Sequence, residues 1–340
     1  MRTIFLTLFI LIIVNPLDAV QTQRIVWPQS PDEPRIEYIS SIRSSEQFGI
    51  EKSFLSKVYD FVFGEEDVLM NSPFGVYADS NRVYVTDIAS KVLNIFDKKE
   101  NEFITVTGSD DENFAYPIDV VSDENGNIYV SDSVLAKVFV FDSDGDFKYF
   151  IANKIFKRPV GLAISADTKK LYIVDVNSDQ IHVTTLKGKL LGSIGKRGRG
   201  KGEFNKPTYI DVGKDGKIYV TDSMNHRVQI LDKDGKYIHS FGSLGTNIGN
   251  FSNPRGIALD SDDNIYVGDT VFNSIQIFNK HGKVLMKFGS YGNGIGEFDL
   301  VEDITILPDN TIYVADTNNR CFKVFKRLEP VQQRGAKWDI

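Results

Sequence analysis

The sequence predicts an all-β fold, a six-bladed β-propeller with four antiparallel strands per blade and a ring closed by an N-terminal strand. Four observations carry that prediction. A tyrosine between two aliphatic residues, followed three places later by aspartate, recurs six times, from Val83-Tyr84-Val85-Thr86-Asp87 to Ile312-Tyr313-Val314-Ala315-Asp316. The aspartates Asp87, Asp132, Asp175, Asp222, Asp269 and Asp316 stand 45, 43, 47, 47 and 47 residues apart, a period that marks a propeller or solenoid. Apolar residues alternate with period two and glycines punctuate the hairpins, which excludes helical repeats. Finally, the sixth unit stops after three strand signals, while an unpaired alternating run, residues 35–42, precedes the first unit.

Each unit opens with a strand after Pro73, Pro117, Pro159, Pro207 or Pro254, with Val301 taking that place in the last. A turn such as Asp123-Glu124-Asn125-Gly126-Asn127 leads to the tyrosine strand. A third strand follows, as in Arg227-Val228-Gln229-Ile230-Leu231, and a fourth after a further tight turn, as in Tyr237-Ile238-His239-Ser240-Phe241. Four short antiparallel strands make a blade, and residues 35–42 are expected to supply the outer strand that the sixth lacks, removing two open sheet edges.

The boundaries follow. Residues 1–19 read as a signal peptide: Arg2, an apolar stretch from Ile4 to Val14, then Pro16 and Ala19 at a cleavage site. That stretch is about half the roughly 20 residues a membrane-spanning helix needs, so no transmembrane span is expected in the mature chain. Residues 20–34 form a linker, 35–326 the propeller and 327–340 a tail. The chain is expected to be exported, to the periplasm, the envelope or the medium. Its single cysteine, Cys321, leaves no internal disulfide and reads as a small buried hydrophobe. A net charge of -7 argues against a nucleic-acid partner.

The pattern Pro254-x-Gly256-Ile257-Ala258, then Ile265-Tyr266-Val267-x-Asp269, with Asn225-His226-Arg227-Val228, Asn318-Asn319-Arg320 and the pairs Phe241-Gly242 and Phe288-Gly289, resembles the NHL repeat. The resemblance covers about residues 70–326 and is greatest in units four to six. It implies a six-bladed propeller with the post-proline strand innermost, and no single activity, because such propellers serve as binding platforms, sensors, amidating lyases and lactone hydrolases. The run from Trp27-Pro28 to Pro34-Arg35-Ile36, with Lys52 to Leu55, resembles an exported bacterial subgroup.

The six repeated aspartates read as architectural, each carboxylate accepting turn N–H groups and pairing with Arg227 or Arg320 where these are present. Chemistry is sought where the repeat breaks. Two residues after the proline stand Gly75, Asp119, Gly161, Tyr209, Gly256 and Asp303. Asp119, Tyr209 and Asp303, with Thr208, Arg255 and Glu302 beside them, are expected near the channel mouth, as a site for a cation or polar ligand or as a hydrated lining. His182, His226, His239 and His281 avoid those positions, which leaves zinc without ligands there. Asp142 to Asp146 reads as a hairpin, since a calcium loop would place its glycine elsewhere and end in glutamate. Lys196, Arg197, Arg199 and Lys201 decorate a glycine-rich link and could contact an acidic partner. Within residues 50–71, Phe54, Leu55, Val58, Phe61 and Val62 share one helical face after a cap at Ser53, and this insert either packs on the blades or docks a partner.

Two readings of function remain. The preferred one is an exported propeller that binds or scaffolds a protein or small-ligand partner without catalysis or cofactor. The alternative is a calcium- or zinc-dependent hydrolase or lyase at the channel mouth.

Overall fold

The computed structural model describes residues 24–50, 69–152 and 154–329. The signal segment, Phe54, Phe61 and most of the expected helical insert lie outside them. Six antiparallel sheets are arranged as blades, and their innermost strands are Pro73–Ala78, Pro117–Ser122, Pro159–Ser165, Pro207–Val212, Pro254–Leu259 and Val301–Ile306. Blades one to five each take four strands from consecutive sequence. The period-two pattern accounts for them: second and third strands, such as Ile128–Asp132 and Val92–Asp97, are buried throughout, and outer ones, such as Tyr237–Phe241, are half exposed.

Blade six is assembled from both ends of the chain. Ile36–Ile42 pairs antiparallel with Cys321–Arg327 and supplies its outer strand. Two expected boundaries shift. The presumed linker contributes a fifth strand, Val26–Trp27, because Trp27 packs its ring 5.8 Å from Phe288 and 6.0 Å from Phe325, covering an edge that would otherwise be open. The last strand runs to Arg327, and Leu328 N–H donates to Arg35 O at 2.7 Å, so the start of the presumed tail belongs to the sheet. Cys321 is buried, and burial pushes its thiol up to about 12.

Apolar side chains of adjacent blades fill the space between them, and the repeated tyrosines anchor this packing. Tyr84, Tyr129 and Tyr266 donate their hydroxyls to Asp79, Asp123 and Asp260 in the hairpin that precedes each tyrosine strand. Register slips by a bulge between the first and fourth residue of every inner strand, from Pro73/Val76 to Val301/Ile304. A bulge re-aims the side chains beside it, and these are the positions where the repeat breaks.

Candidate functional site

Each repeated aspartate ties the turn after its own strand to the entry of the inner strand in the same blade. Asp87 accepts N–H groups of Asn71 and Ser72 on one oxygen and of Ala89 and Ser90 on the other, at 2.7–3.1 Å. Asp132, Asp175 and Asp269 repeat that arrangement. In blades four and six the pattern changes. Asp222 accepts from Asn205 N–H, Asn225 and Arg227, and Asp316 from Asp299 N–H, Asn319 and Lys323, the two cations each at 2.8 Å. Arg320 is therefore not the partner of Asp316. It stands one place earlier than Arg227 does after its aspartate, in the left-handed turn position that His226 fills in blade four.

The residue seven places after each aspartate forms a column that single-repeat inspection misses. It comprises Asn94, Phe139, His182, Gln229, Gln276 and Lys323, and the five polar members are all buried. Gln229, Gln276 and Lys323 donate to the backbone carbonyls of Glu203, Asn250 and Glu297, just ahead of the inner strand of their own blade. His182 lies 3.6 Å from Asp175. Burial alone would raise Asp175, but His182 and the N–H groups of Lys157, Arg158 and Ser178 hold it at about 2. The sequence signal was a polar residue in mid-strand at fixed distance from the aspartate.

At the channel the blades alternate. A Cβ on Gly75 would stand 2.4 Å from Ile118 O, on Gly161 2.5 Å from Thr208 O and on Gly256 2.6 Å from Asp303 Cα. Blades one, three and five thus abut the backbone of the next blade, an approach only glycine allows. The other three seams carry a carboxylate. Asp119 accepts Leu162 N–H at 2.7 Å, Asp211 accepts Leu259 N–H at 3.0 Å and Asp303 accepts Val76 N–H at 2.9 Å. In blade four the carboxylate has moved two residues along the same strand face, leaving Tyr209 in its place.

These groups are buried with little compensation. Burial raises Asp119 to about 7 and Asp211 to about 6. Asp303 is pushed well above the usual carboxylate range by burial and by the neighbouring Asp119 carboxylate. Tyr209 is pushed up by burial and by Asp303, and its buried hydroxyl has no hydrogen-bond partner. Asp119 and Asp303 each spend both oxygens on backbone N–H groups, the second bond of each going to Val120 or Ile304. They hold seams together.

Asp119, Tyr209 and Asp303 mark a waist rather than the mouth. Tyr209 lines two cavities, one on each side of it. The cavity at the proline end, about 620 Å³, is reached by Arg255 and Glu302 together with Phe74, Tyr116, Arg158 and Lys206. Arg255 pairs with Glu302 through Nε and Nη2 at 2.9 and 3.1 Å, and its guanidinium lies 5.9 Å from the Phe74 ring. The opposite cavity, about 830 Å³, contains Asp119 and Asp303 along with Asp79, Asp123 and Asp211.

Lys196, Arg197, Arg199 and Lys201 are exposed on the link between blades three and four, and none lines the channel cavities. Glu203 in the same loop pairs with Lys196 at 3.3 Å and accepts Gly200 N–H, so the patch is less basic than its four cations suggest. The links of the next two blades form the same bridge, Leu244 to Phe251 and Tyr291 to Phe298, as Arg197 makes to Phe204. Asp142 to Asp146 closes a hairpin, with Asp142 N–H donating to Asp146 O. Among the described residues no group of three or more His, Cys, Asp or Glu side chains is gathered to hold a metal.

Fold and repeat together define a six-bladed β-propeller built on NHL-type repeats. A family model described as NHL repeat matches residues 204–231, and one described as 6-bladed beta-propeller matches residues 257–326. No curated protein matches the sequence. Solved structures similar to it include virginiamycin B lyase from Staphylococcus aureus, at 15% identity over 76% of this chain and 96% of that one, with a TM-score of 0.56. An auxiliary nutrient binding protein from Bacteroides thetaiotaomicron matches at 14% identity over 76% of this chain and 70% of its own, with a TM-score of 0.59. A protein of unknown function from the same organism matches at 16% over 86% and 75%, with a TM-score of 0.60. At these identities the likeness shows the fold. No helix among the described residues is long and apolar enough to cross a membrane.

Proposed function

We propose that this protein is an exported binding module whose ligand or partner enters the channel at the proline end, and that it performs no catalysis. The observation that carries the reading is the 620 Å³ cavity there, within the range of small-molecule sites and lined by apolar walls with a few convergent polar groups. Asp119 and Asp303 are engaged in interblade hydrogen bonds and neither lines this cavity, which supports a binding role for it. The auxiliary nutrient binding protein among the structural neighbours fits a binding role, and the lyase shows that the fold also hosts chemistry. Export rests on the apolar N-terminal segment ahead of Ala19.

A thermal-shift screen of a broad metabolite library against the wild type and Ile88→Trp tests the reading. Ile88 lines the cavity, and tryptophan there narrows it. Ligands should raise the melting temperature of the wild type alone. Equal stabilisation of both proteins would place the binding site elsewhere, and turnover of any ligand would overturn the non-catalytic assignment.

A further inference from the structure

We infer that the cavity at the proline end selects a small oxyanion carried on an apolar body, such as an aryl or alkyl carboxylate or phosphate monoester. This rests on the reading of that cavity as the binding site and specifies what it takes.

The cavity wall has two halves. One arc, from blades three to five, presents Arg158, Lys206 and Arg255. The other, from blades one and two, presents Phe74, Ile88, Tyr116 and Ile118, and Val160 and Val176 of blade three extend the apolar wall beneath the cations. Glu302 is the only acidic side chain in the lining, and Arg255 neutralises it. Arg255 spends Nε and Nη2 on that pair, while its Nη1 edge makes no hydrogen bond to the described residues. Lys206 Nζ donates to Asn177 Oδ1 at 2.9 Å, a neutral partner that leaves its charge uncompensated. Arg158 is exposed at the rim, and its side chain makes no ion pair among the described residues. Two unpaired cations and a free guanidinium edge thus converge on one cavity of a protein whose net charge is -7.

Concave low-dielectric walls focus such a local field, so an anion is drawn to this mouth against the overall charge. An arginine edge and a lysine suit an oxyanion, arginine through paired N–H donors and lysine as a point charge. The aromatic and aliphatic arc opposite has no use for a bare inorganic anion; it covers an apolar substituent, which is what limits the class. At the far end of the channel the lining carries the carboxylates of Asp79 and Asp123 beside the Glu124–Lys169 pair, so the surplus of cationic groups lies at the proline end.

Isothermal titration of the purified chain with 4-phenylbutyrate, phenyl phosphate, 4-phenylbutyramide and 4-phenylbutylamine tests the inference. The carboxylate or the phosphate should bind at least ten-fold more tightly than the amide, and the amine should not bind; which anion wins separates the two sources. In Arg158→Gln/Lys206→Gln, anion affinity should fall at least ten-fold and lose most of its salt dependence, with the circular dichroism spectrum and melting temperature unchanged. Lys196→Gln, away from the cavity, should bind as wild type. An amine or amide that binds as tightly as the acid and is blocked by Ile88→Trp would overturn the anion preference while keeping the cavity as the site. Silence from all four probes, or a double variant that binds as wild type, would also overturn it. If, in addition, no library compound distinguishes wild type from Ile88→Trp, the cavity reading falls too.

Discussion

Asp303 in blade six accepts the N–H of Val76 in blade one at 2.9 Å, so the ring is joined at the channel as well as at its rim. The same carboxyl is raised by burial and by Asp119, itself raised to about 7. A carboxyl with a raised folded-state pKa binds more protons folded than unfolded, so its contribution is complete below about pH 4 and is lost as pH rises through about 7. Unfolding free energies from urea titrations should therefore fall between pH 4.5 and 8, by as much as about 4 kcal/mol for a single group shifted this far. In Asp303→Asn, which removes one of the raised carboxyls altogether, the fall should be smaller. Stability that rises with pH over this window would refute the assignment.

Asp175 works in the opposite sense. Held at about 2, it contributes stability above its ordinary value that is lost as pH falls through 2. His182→Phe removes the hydrogen bond that lowers Asp175, so stability should fall near neutral pH and its loss between pH 4 and 2 should become shallower, measured by urea unfolding against pH; a profile that overlays the wild type would show the pair to be inert.

The glycine seams predict a sharp contrast among alanine variants. Gly75→Ala, Gly161→Ala and Gly256→Ala each drive a methyl into the backbone of the next blade and should cost about 3 kcal/mol or more. Gly192 has open space where its Cβ would be, so Gly192→Ala should change stability by less than about 0.5 kcal/mol or raise it slightly. Equal costs in a denaturant series would contradict the close approach.

Lys323 tests the column seven places after the aspartates. Lys323→Met leaves Asp316 buried beside no cation and should cost about 3–5 kcal/mol. Lys323→Gln imports the residue that blades four and five use at this place, restores a donor toward Glu297 O, and should cost clearly less. A larger loss for glutamine than for methionine in equilibrium unfolding would rule out that equivalence.

The N-terminal strand should be indispensable. A chain beginning at Ser72 lacks both Ile36–Ile42 and Val26–Trp27, and should melt far below the full-length protein or stay unfolded. Melting at the wild-type temperature would mean that the outer strands of blade six are decoration.

Much of this architecture was legible because its signals are periodic: six tyrosine motifs, the post-proline strands, and an N-terminal run with no partner nearby. Departures from the repeat at Asp119, Tyr209 and Asp303 were visible too, yet their depth was not. Depth depends on the bulge at each inner-strand entry, which follows from twist and pairing rather than from residue type. Sequence reading also missed the shift of the blade-four carboxylate to Asp211, since its partner Leu259 lies one whole repeat away. Arg320 misled because a familiar triplet hid a one-residue offset, and in a turn one residue decides which way a side chain points. The short strand at Val26–Trp27 carries almost no pattern of its own and exists because Trp27 finds Phe288 and Phe325.

A blade shared between the two ends of the chain also sets a timetable. Val26–Trp27 and Ile36–Ile42 are synthesised first among the propeller strands, and their sheet partner Cys321–Arg327 last. Until Cys321–Arg327 emerges, the two N-terminal strands have only each other to pair with, and the first and last blades cannot be joined. Long-range pairing of this kind is slow, and it postpones completion until the whole polypeptide is present.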